Sequence, residues 1–130
     1  MSVNLLLDTC AIIWLANEDD KFSESAVKAI DDAWFVYVSP VSAWEMGLKS
    51  AKGKLVLPEP LQTWWPRMIE THQVSEFPLY GPEAIRSTNL PAIHDDPVDR
   101  LLIAIAMAQQ FTLLTPDHTI HRYPHLNTLW

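Results

Sequence analysis

The sequence of 130 residues has a single cysteine, no excess of basic charge and no long apolar run. One thiol, Cys10, cannot close an internal disulfide, which suits a reducing compartment and leads us to expect a cytoplasmic protein. Cys10 itself is expected to be a small packing residue. The stretch MSVNLLLDTCAIIWLA carries no basic leader and is interrupted by Asp8, and no segment approaches the roughly 20 apolar residues of a membrane span. A soluble, unsecreted protein with no membrane partner is expected. Nine basic residues against sixteen acidic ones give a net charge of −7, which speaks against binding nucleic acid by general attraction to phosphate. The basic residues are unevenly placed, however: Lys49, Lys52 and Lys54 fall close together, and a local basic patch stays open. The chain also lacks internal repeats, low-complexity tracts and linkers, so residues 1–130 read as one domain.

What is present is a globular balance, 48% hydrophobic and 19% charged residues, enough to bury a core at this length. VNLLLD reads as a short buried strand, with Asp8 capping the helix TCAIIWLANED. SESAVKAIDDA reads as a second helix, and FVYVS from Phe35 to Ser39 as a second strand. Next, PVSAWEMGLKSAKG begins a helix at Pro40 that stops near Gly53. PEPLQTWWPRMIETH has helical spacing that Pro66 should kink or restart. QVSEF, GPEAIRSTNL, a helix from Pro97 to about Gln109, FTLL, a turn at TPDHTI and NTLW complete the alternation. Strands alternating with helices imply right-handed crossovers and a mostly parallel sheet covered on both faces, an α/β/α sandwich. Ligands of such sheets bind at the carboxyl ends of the strands.

That rule selects acids. Asp8 closes the first strand, Glu45 lies in the helix after the second, Asp117 follows FTLL, and Asp99 sits in the first turn of the helix opened by HDDPVDR. Each has a plain explanation when taken alone. Asp8 suits an N-cap, Glu45 pairs with Lys49 one helical turn on, and TPD is ordinary turn chemistry. Asp96, Pro97 and Asp99 make a variant capping box. For Glu45, the apolar stripe Val41, Trp44, Leu48 and Ala51 puts the carboxylate at a buried border. Taken together, carboxylates gathered at one sheet edge repel and resist ionising unless a cation lies between them. An all-oxygen ligand set suits Mg²⁺ or Mn²⁺, and such ions lower the pKa of bound water and clamp phosphodiesters for in-line hydrolysis.

The motifs LLLDTCAIIWL, SPVSAWEMGLK…GKL, HDDPVDRLLIAIA and LLTPDHTIHRYP, in this order and at these spacings, resemble the PIN-domain nucleases and, within them, the VapC toxins of bacterial toxin–antitoxin pairs. The resemblance spans nearly the whole chain. It implies a PIN-like α/β/α sandwich and a Mg²⁺- or Mn²⁺-dependent ribonuclease acting on an RNA substrate. It also implies a cognate antitoxin protein and a homodimer whose hydrophobic grooves bind antitoxin helices, for which Leu61–Met68 is the candidate surface. The family's acids fall on Asp8, Glu45, Asp99 and Asp117, with Asp8, Asp99 and Asp117 as metal ligands and Asp96 as an auxiliary acid. Thr9 matches the family's small hydroxyl, placed to position a ligand or water. The chain departs from the pattern at Asp95, where a basic residue is expected, at Val98, in place of a commoner aromatic, and at Cys10.

Other constellations carry less. His94–Asp95 matches the dyad of HD-type phosphohydrolases, but those are helical folds. DTC resembles the start of an aspartyl phosphotransferase motif whose second aspartate is here Cys10. His118, His121 and His125 have zinc-like spacing without a supporting cysteine or HExxH motif. Lys49 and Lys52, with Lys54, are candidate phosphate contacts beside the acids, or a solvated helix end. Of six tryptophans, Trp14, Trp34 and Trp44 are expected in the core, and Trp64 and Trp65 at a partner surface. A non-catalytic module that binds RNA or a partner, its acids serving only as caps, is the competing function class.

Overall fold

Leu5, Leu6 and Leu7 are all fully buried, so the strand that carries them, β1 (Asn4–Leu7), is covered on both faces. The computed structural model describes residues 3–130. Around β1, strands β2 (Phe35–Val38), β3 (Ser75–Glu76), β4 (Thr112–Leu114) and β5 (Asn127–Leu129) pair in the order β3-β2-β1-β4-β5, every pairing parallel. Helices α1 (Thr9–Ala16), α2 (Glu24–Asp32), α3 (Pro40–Ala51), α4 (Leu61–His72), α5 (Gly81–Ser87) and α6 (Pro97–Gln109) make the crossovers, and one 3₁₀ turn spans Ile120–Arg122. Side chains alternate across a strand. Leu5 and Leu7 accordingly pack with Ile12, Met46, Trp64 and Met68 on one face, while Leu6 packs with Leu102, Ile103 and Ile105 of α6 on the other. The architecture is the α/β/α sandwich expected from the alternation of elements.

The helix starts follow the capping chemistry written in the sequence. Ser23 and Ser39 accept from the amides of Ala26 and Val41 at 3.0 and 3.1 Å, and Pro40 and Pro97 occupy the first turns of α3 and α6. After α3, Gly53 takes φ +70°, a left-handed position that a side chain would strain. Several elements are shorter than their sequence patterns. The first helix stops at Ala16 rather than Asp19 because Glu18 turns left-handed at φ 52°. QVSEF yields only Ser75–Glu76 as strand, and α5 ends at Ser87 rather than Leu90. Pro66 neither ends nor restarts α4, which runs from Leu61 to His72. The buried Trp64 and Trp65 before it and Met68 after it hold the helix across its missing amide.

The tryptophans are distributed differently from the expectation. Trp64 and Trp65 belong to the core, with 6% and 8% of their surface exposed, whereas Trp34 and Trp44 are 69% and 58% exposed. The apolar residues of the Leu61–Met68 segment therefore belong to the core, because α4 covers the face of the sheet opposite α6, and Gln62, Thr63, Pro66 and Arg67 are what it exposes. Trp14 is half-buried against Trp130, ring centroids 5.7 Å apart.

Two chain directions diverge at β1: the early strands lie to one side of it and the late strands to the other. Such a reversal leaves a crevice outside the carboxyl ends of the two central strands. Here those strands are β1 and β4, and the residues that follow them are Asp8 and Thr115–Asp117.

Candidate active site

Asp8 leaves β1 with its amide bound to the Leu114 carbonyl at 3.1 Å, which pins it beside the end of β4. One carboxylate oxygen caps α1 by accepting from the Ala11 amide at 2.8 Å, and the other accepts from the Thr115 hydroxyl. The cap is thus real, yet a cap alone accounts for only one oxygen. Burial pushes the Asp8 carboxyl up to about 6; the Thr115 hydroxyl and Ala11 amide pull it down, and the charges of Asp117 and Glu45 push it further up.

Asp99 shows which part of the capping-box reading holds. Asp96 does cap α6, accepting from the amides of Val98 at 2.8 Å and Asp99 at 3.3 Å. The return half of the box does not form, because the Asp96 amide donates to Nδ1 of His94 at 3.0 Å. Asp99 is thereby free to turn into the cleft, where its Oδ2 lies 3.2 Å from Nε2 of His94. Burial pushes the Asp99 carboxyl up to about 7, with the charges of Asp96, Asp8 and Glu45 adding to the rise and His94 opposing it.

His94, weighed from the sequence only as half of an HD-type dyad with Asp95, instead partners Asp117 and Asp99. Its Nδ1 accepts a backbone hydrogen bond, so the proton of the neutral ring resides on Nε2. That Nε2 sits 2.9 Å from Asp117 Oδ2 and holds Asp117 and Asp99 together. Burial alone would lower the imidazole pKa, but the bond to Asp117 and the charges of Asp99, Asp117 and Asp96 raise it overall. For Asp117, burial acts upward and is outweighed by His94 and by the amides of Thr119 and Ile120, which hold the carboxyl below the usual range. One ligand atom from each of His94, Asp99 and Asp117 lies within 4.8 Å of the others, a spacing that suits one cation.

Arg100 fixes the loop that carries His94. Its guanidinium donates to the carbonyls of Ser87, Leu90, Pro91 and His94 at 2.9–3.1 Å and to the Tyr123 hydroxyl at 3.3 Å. Tyr123 in turn accepts from the His94 amide at 2.8 Å. A planar fork of donors satisfies four carbonyls that a lysine could not reach together.

The remaining candidates fall around the same cleft, of about 340 Å³, which Asp8, Thr9, Glu45, Lys49, Asp96, Asp99 and Asp117 all line. Glu45 is half-buried, as expected, but for a different reason. The stripe assigned to α3 is not its core face, since Trp44 and Leu48 are exposed and the buried residues are Val41, Ser42 and Met46. Glu45 also makes its pair with Lys49, 3.5 Å away. Thr9 donates its hydroxyl proton to Ser42 at 3.0 Å, which leaves it only an acceptor toward the cleft. Lys52 stands outside, lining a neighbouring groove with Lys49 and Lys54. Asp95 is exposed, and Cys10 is an exposed residue at the cleft rather than a packed one. The three late histidines form no cluster: all are exposed, and both ring nitrogens of His121 are occupied, by the Thr115 carbonyl and the Thr128 hydroxyl.

Two signals in the sequence pointed toward the missed roles: Thr115 is a hydroxyl at a strand end, and His94 stands two residues before a cap. Neither reveals a partner by itself. The Asp8–Thr115 and His94–Asp117 contacts join segments 107 and 23 residues apart.

Comparison with known proteins gives a consistent result. The PIN domain family matches residues 5–126. The chain is 28% identical over 129 residues to Ribonuclease VapC22 of Mycobacterium tuberculosis, covering 97% of this chain and 98% of that one. The DNA-bound VapBC structure from Salmonella typhimurium superposes with a TM-score of 0.73 at 16% identity, over 98% of this chain and 97% of that one. A toxin–antitoxin complex from Klebsiella pneumoniae does so with a TM-score of 0.64 at 17% identity, over 97% and 96%.

Proposed function

Because the chain belongs to the PIN domain family, we propose that it is a Mg²⁺- or Mn²⁺-dependent endoribonuclease, the toxin of a toxin–antitoxin pair. The observation that carries this reading is the convergence of Asp8, Glu45, Asp99 and Asp117 on one cleft at the switch point of the sheet. Two of these carboxyls are pushed up to about 6 and about 7. Lys49 and His94 offset the charge of these acids only in part, and a hard divalent cation with oxygen ligands supplies the rest. Asp99 and Asp117, with ligand atoms within 4.8 Å of each other and of His94, fit such an ion, and Asp8, which lines the same cleft, is the third ligand in this reading.

When bound, the ion supplies Lewis acidity to a phosphoryl oxygen and a lowered pKa to water. The chain's own residues do the rest. Asp99 and Asp117 are held at one spacing by His94, and Asp8 is held against β4 by Thr115, so the ligand set is organised before substrate arrives. Glu45, which lines the cleft from α3, would help hold the ion and its water, and Thr9 positions a ligand or water through its free acceptor. Asp96 acts as an auxiliary acid and as the cap that aims Asp99. Lys49 and Lys52 contact RNA phosphates beside the cleft.

Residues 1–130 act as one domain in the cytoplasm, as a homodimer that a cognate antitoxin protein holds inactive. The named relative is a ribonuclease, and one structural neighbour is a toxin–antitoxin complex, which supports both the activity and the partner. No helix among the described residues is long and apolar enough to cross a membrane.

The test is cleavage of a panel of structured RNAs by the wild type and by Asp99→Asn, each with Mg²⁺, with Mn²⁺ and with chelator. Circular dichroism checks that both proteins are folded. Cutting at defined sites by the wild type, with metal only, and none by Asp99→Asn is the expected result. A folded wild type that cuts no RNA, or a variant that cuts equally, overturns the reading in favour of a binding module whose acids are caps.

A further inference from the structure

Trp44 packs into neither of the two core clusters. It lies one residue before Glu45 on α3 and is 58% exposed, and the helix is anchored by Val41, Ser42 and Met46 instead. Together with Leu48, which is 43% exposed, it lines a groove of about 270 Å³ beside Lys49, Lys52 and Lys54. Glu45, Lys49 and Asp96 line both this groove and the acidic cleft, so the two form one continuous surface.

We infer that this groove is a single-strand platform, on which a base of the RNA flanking the scissile phosphate stacks on the Trp44 indole while Lys52 and Lys54 hold its backbone. The inference rests on the ribonuclease reading of the neighbouring cleft. A positively charged track with an interleaved aromatic is the arrangement that binds single-stranded nucleic acid without reading its sequence, since every base has a π face. Charge singles out this occupant. The chain carries net charge −7 and nine basic residues, and three of the nine meet at this groove, where Lys49 pairs with Glu45 and Lys52 and Lys54 carry the positive charge that remains. Arg100 and Arg67 are committed elsewhere, to backbone carbonyls and to Glu59. A polyanion led toward the acidic cleft would meet these lysines first. A second copy of the chain docked face to face here would instead set one trio of lysines against another, at a repulsive cost.

The test uses the full chain carrying Asp99→Asn, so that RNA is bound and not cut, with Mg²⁺ present. The probes are fluorescein-labelled octaadenylate and the same ribose–phosphate chain without bases. Adding Trp44→Ala is expected to weaken octaadenylate binding roughly 10-fold and to leave the abasic chain unchanged, while Trp44→Phe restores most of the loss. Adding Lys52→Gln and Lys54→Gln is expected to weaken both probes alike and to flatten the salt dependence, by about 0.7 in the log–log slope per lost phosphate contact. Unchanged octaadenylate binding by Trp44→Ala overturns the platform, as does equal weakening of both probes. Conversion of a dimer to a monomer by Trp44→Ala in sedimentation also overturns it, and assigns the face to a second copy. A base-free diester, bis(p-nitrophenyl) phosphate, separates the two readings. Equal metal-dependent hydrolysis by the wild type and Trp44→Ala upholds the catalytic cleft whatever the binding shows. Base-dependent binding by Trp44 without any hydrolysis upholds the platform and removes the nuclease.

Discussion

Asp99 is the residue whose neutralisation separates stability from activity. Its carboxyl, raised to about 7 by burial and by neighbouring acids, costs the folded protein free energy whenever it ionises without a cation. Asp99→Asn removes that charge and keeps a side chain of the same shape, with the cap on α6 still supplied by Asp96. In the absence of metal near neutral pH, the variant is expected to melt roughly 4 °C higher than the wild type, the shift that about 1 kcal/mol makes in a chain of this size. Its RNA cleavage is expected to fall by more than about 100-fold, beyond what loss of a mere outer-shell partner costs. A variant that melts lower would show that the carboxylate stabilises the loop as a cap does. At this scale the acids were legible in the sequence because strand ends and helix starts are fixed by local pattern. His94 was not, because its role depends on giving Nδ1 to the Asp96 amide and Nε2 to Asp117. Those contacts follow from how the loop folds back over β4, which no local spacing encodes.

Among the elements, the loop from Ser87 to Asp96 is held chiefly by Arg100, with Tyr123 beside it. Arg100 on α6 ties the carbonyls of Ser87, Leu90, Pro91 and His94 to itself. Arg100→Lys keeps the charge but loses the planar fork and strands several carbonyls, at an expected cost of about 3 kcal/mol in urea denaturation with the slope unchanged. Amide hydrogen exchange of residues 88–96 is expected to quicken ahead of the rest of the chain; uniform quickening would contradict a local role. Most helix starts could be read from the sequence, since Asp8, Ser23, Ser39 and Asp96 all accept the amides that N-caps accept. Which apolar residues face inward was less legible. Trp44 and Leu48 fit an apolar stripe on α3 but point outward, while Trp64 and Trp65 look surplus to a small core and are part of it. Helical projection orders the faces of a helix without saying which of them meets the sheet.

For the molecule as a whole, the site makes stability depend on pH. Asp8 and Asp99 have pKa values raised from 3.8 to about 6 and about 7, so between the unfolded and folded values the native state binds more protons than the unfolded chain. Stability from these groups is full below about pH 4 and is lost as pH rises through about 6 and 7. His94, also raised, acts in the same direction, and Asp117, lowered, acts oppositely only at lower pH. A divalent cation binds the ionised site and reverses the loss. Melting temperature without metal is therefore expected to fall between about pH 4 and pH 7, and the stabilisation by Mg²⁺ to grow as pH rises through about 6 and 7. A Mg²⁺ effect that is flat with pH would count against these acids as its site. The overall fold was the most legible feature, because alternating strands and helices leave few topologies for a parallel sheet. The switch point between β1 and β4 then brought together acids that lie far apart in the sequence.

The most direct measurement is isothermal titration of the wild type and Asp99→Asn with Mn²⁺ near pH 7, in two buffers of different ionisation heat. With Asp99 near half-protonated at a pKa of about 7, the wild type is expected to bind the ion and release roughly half a proton per site, and the variant to do neither. No binding by the wild type, or equal binding without proton release by both proteins, would show that the clustered carboxylates are caps and not a catalytic metal centre.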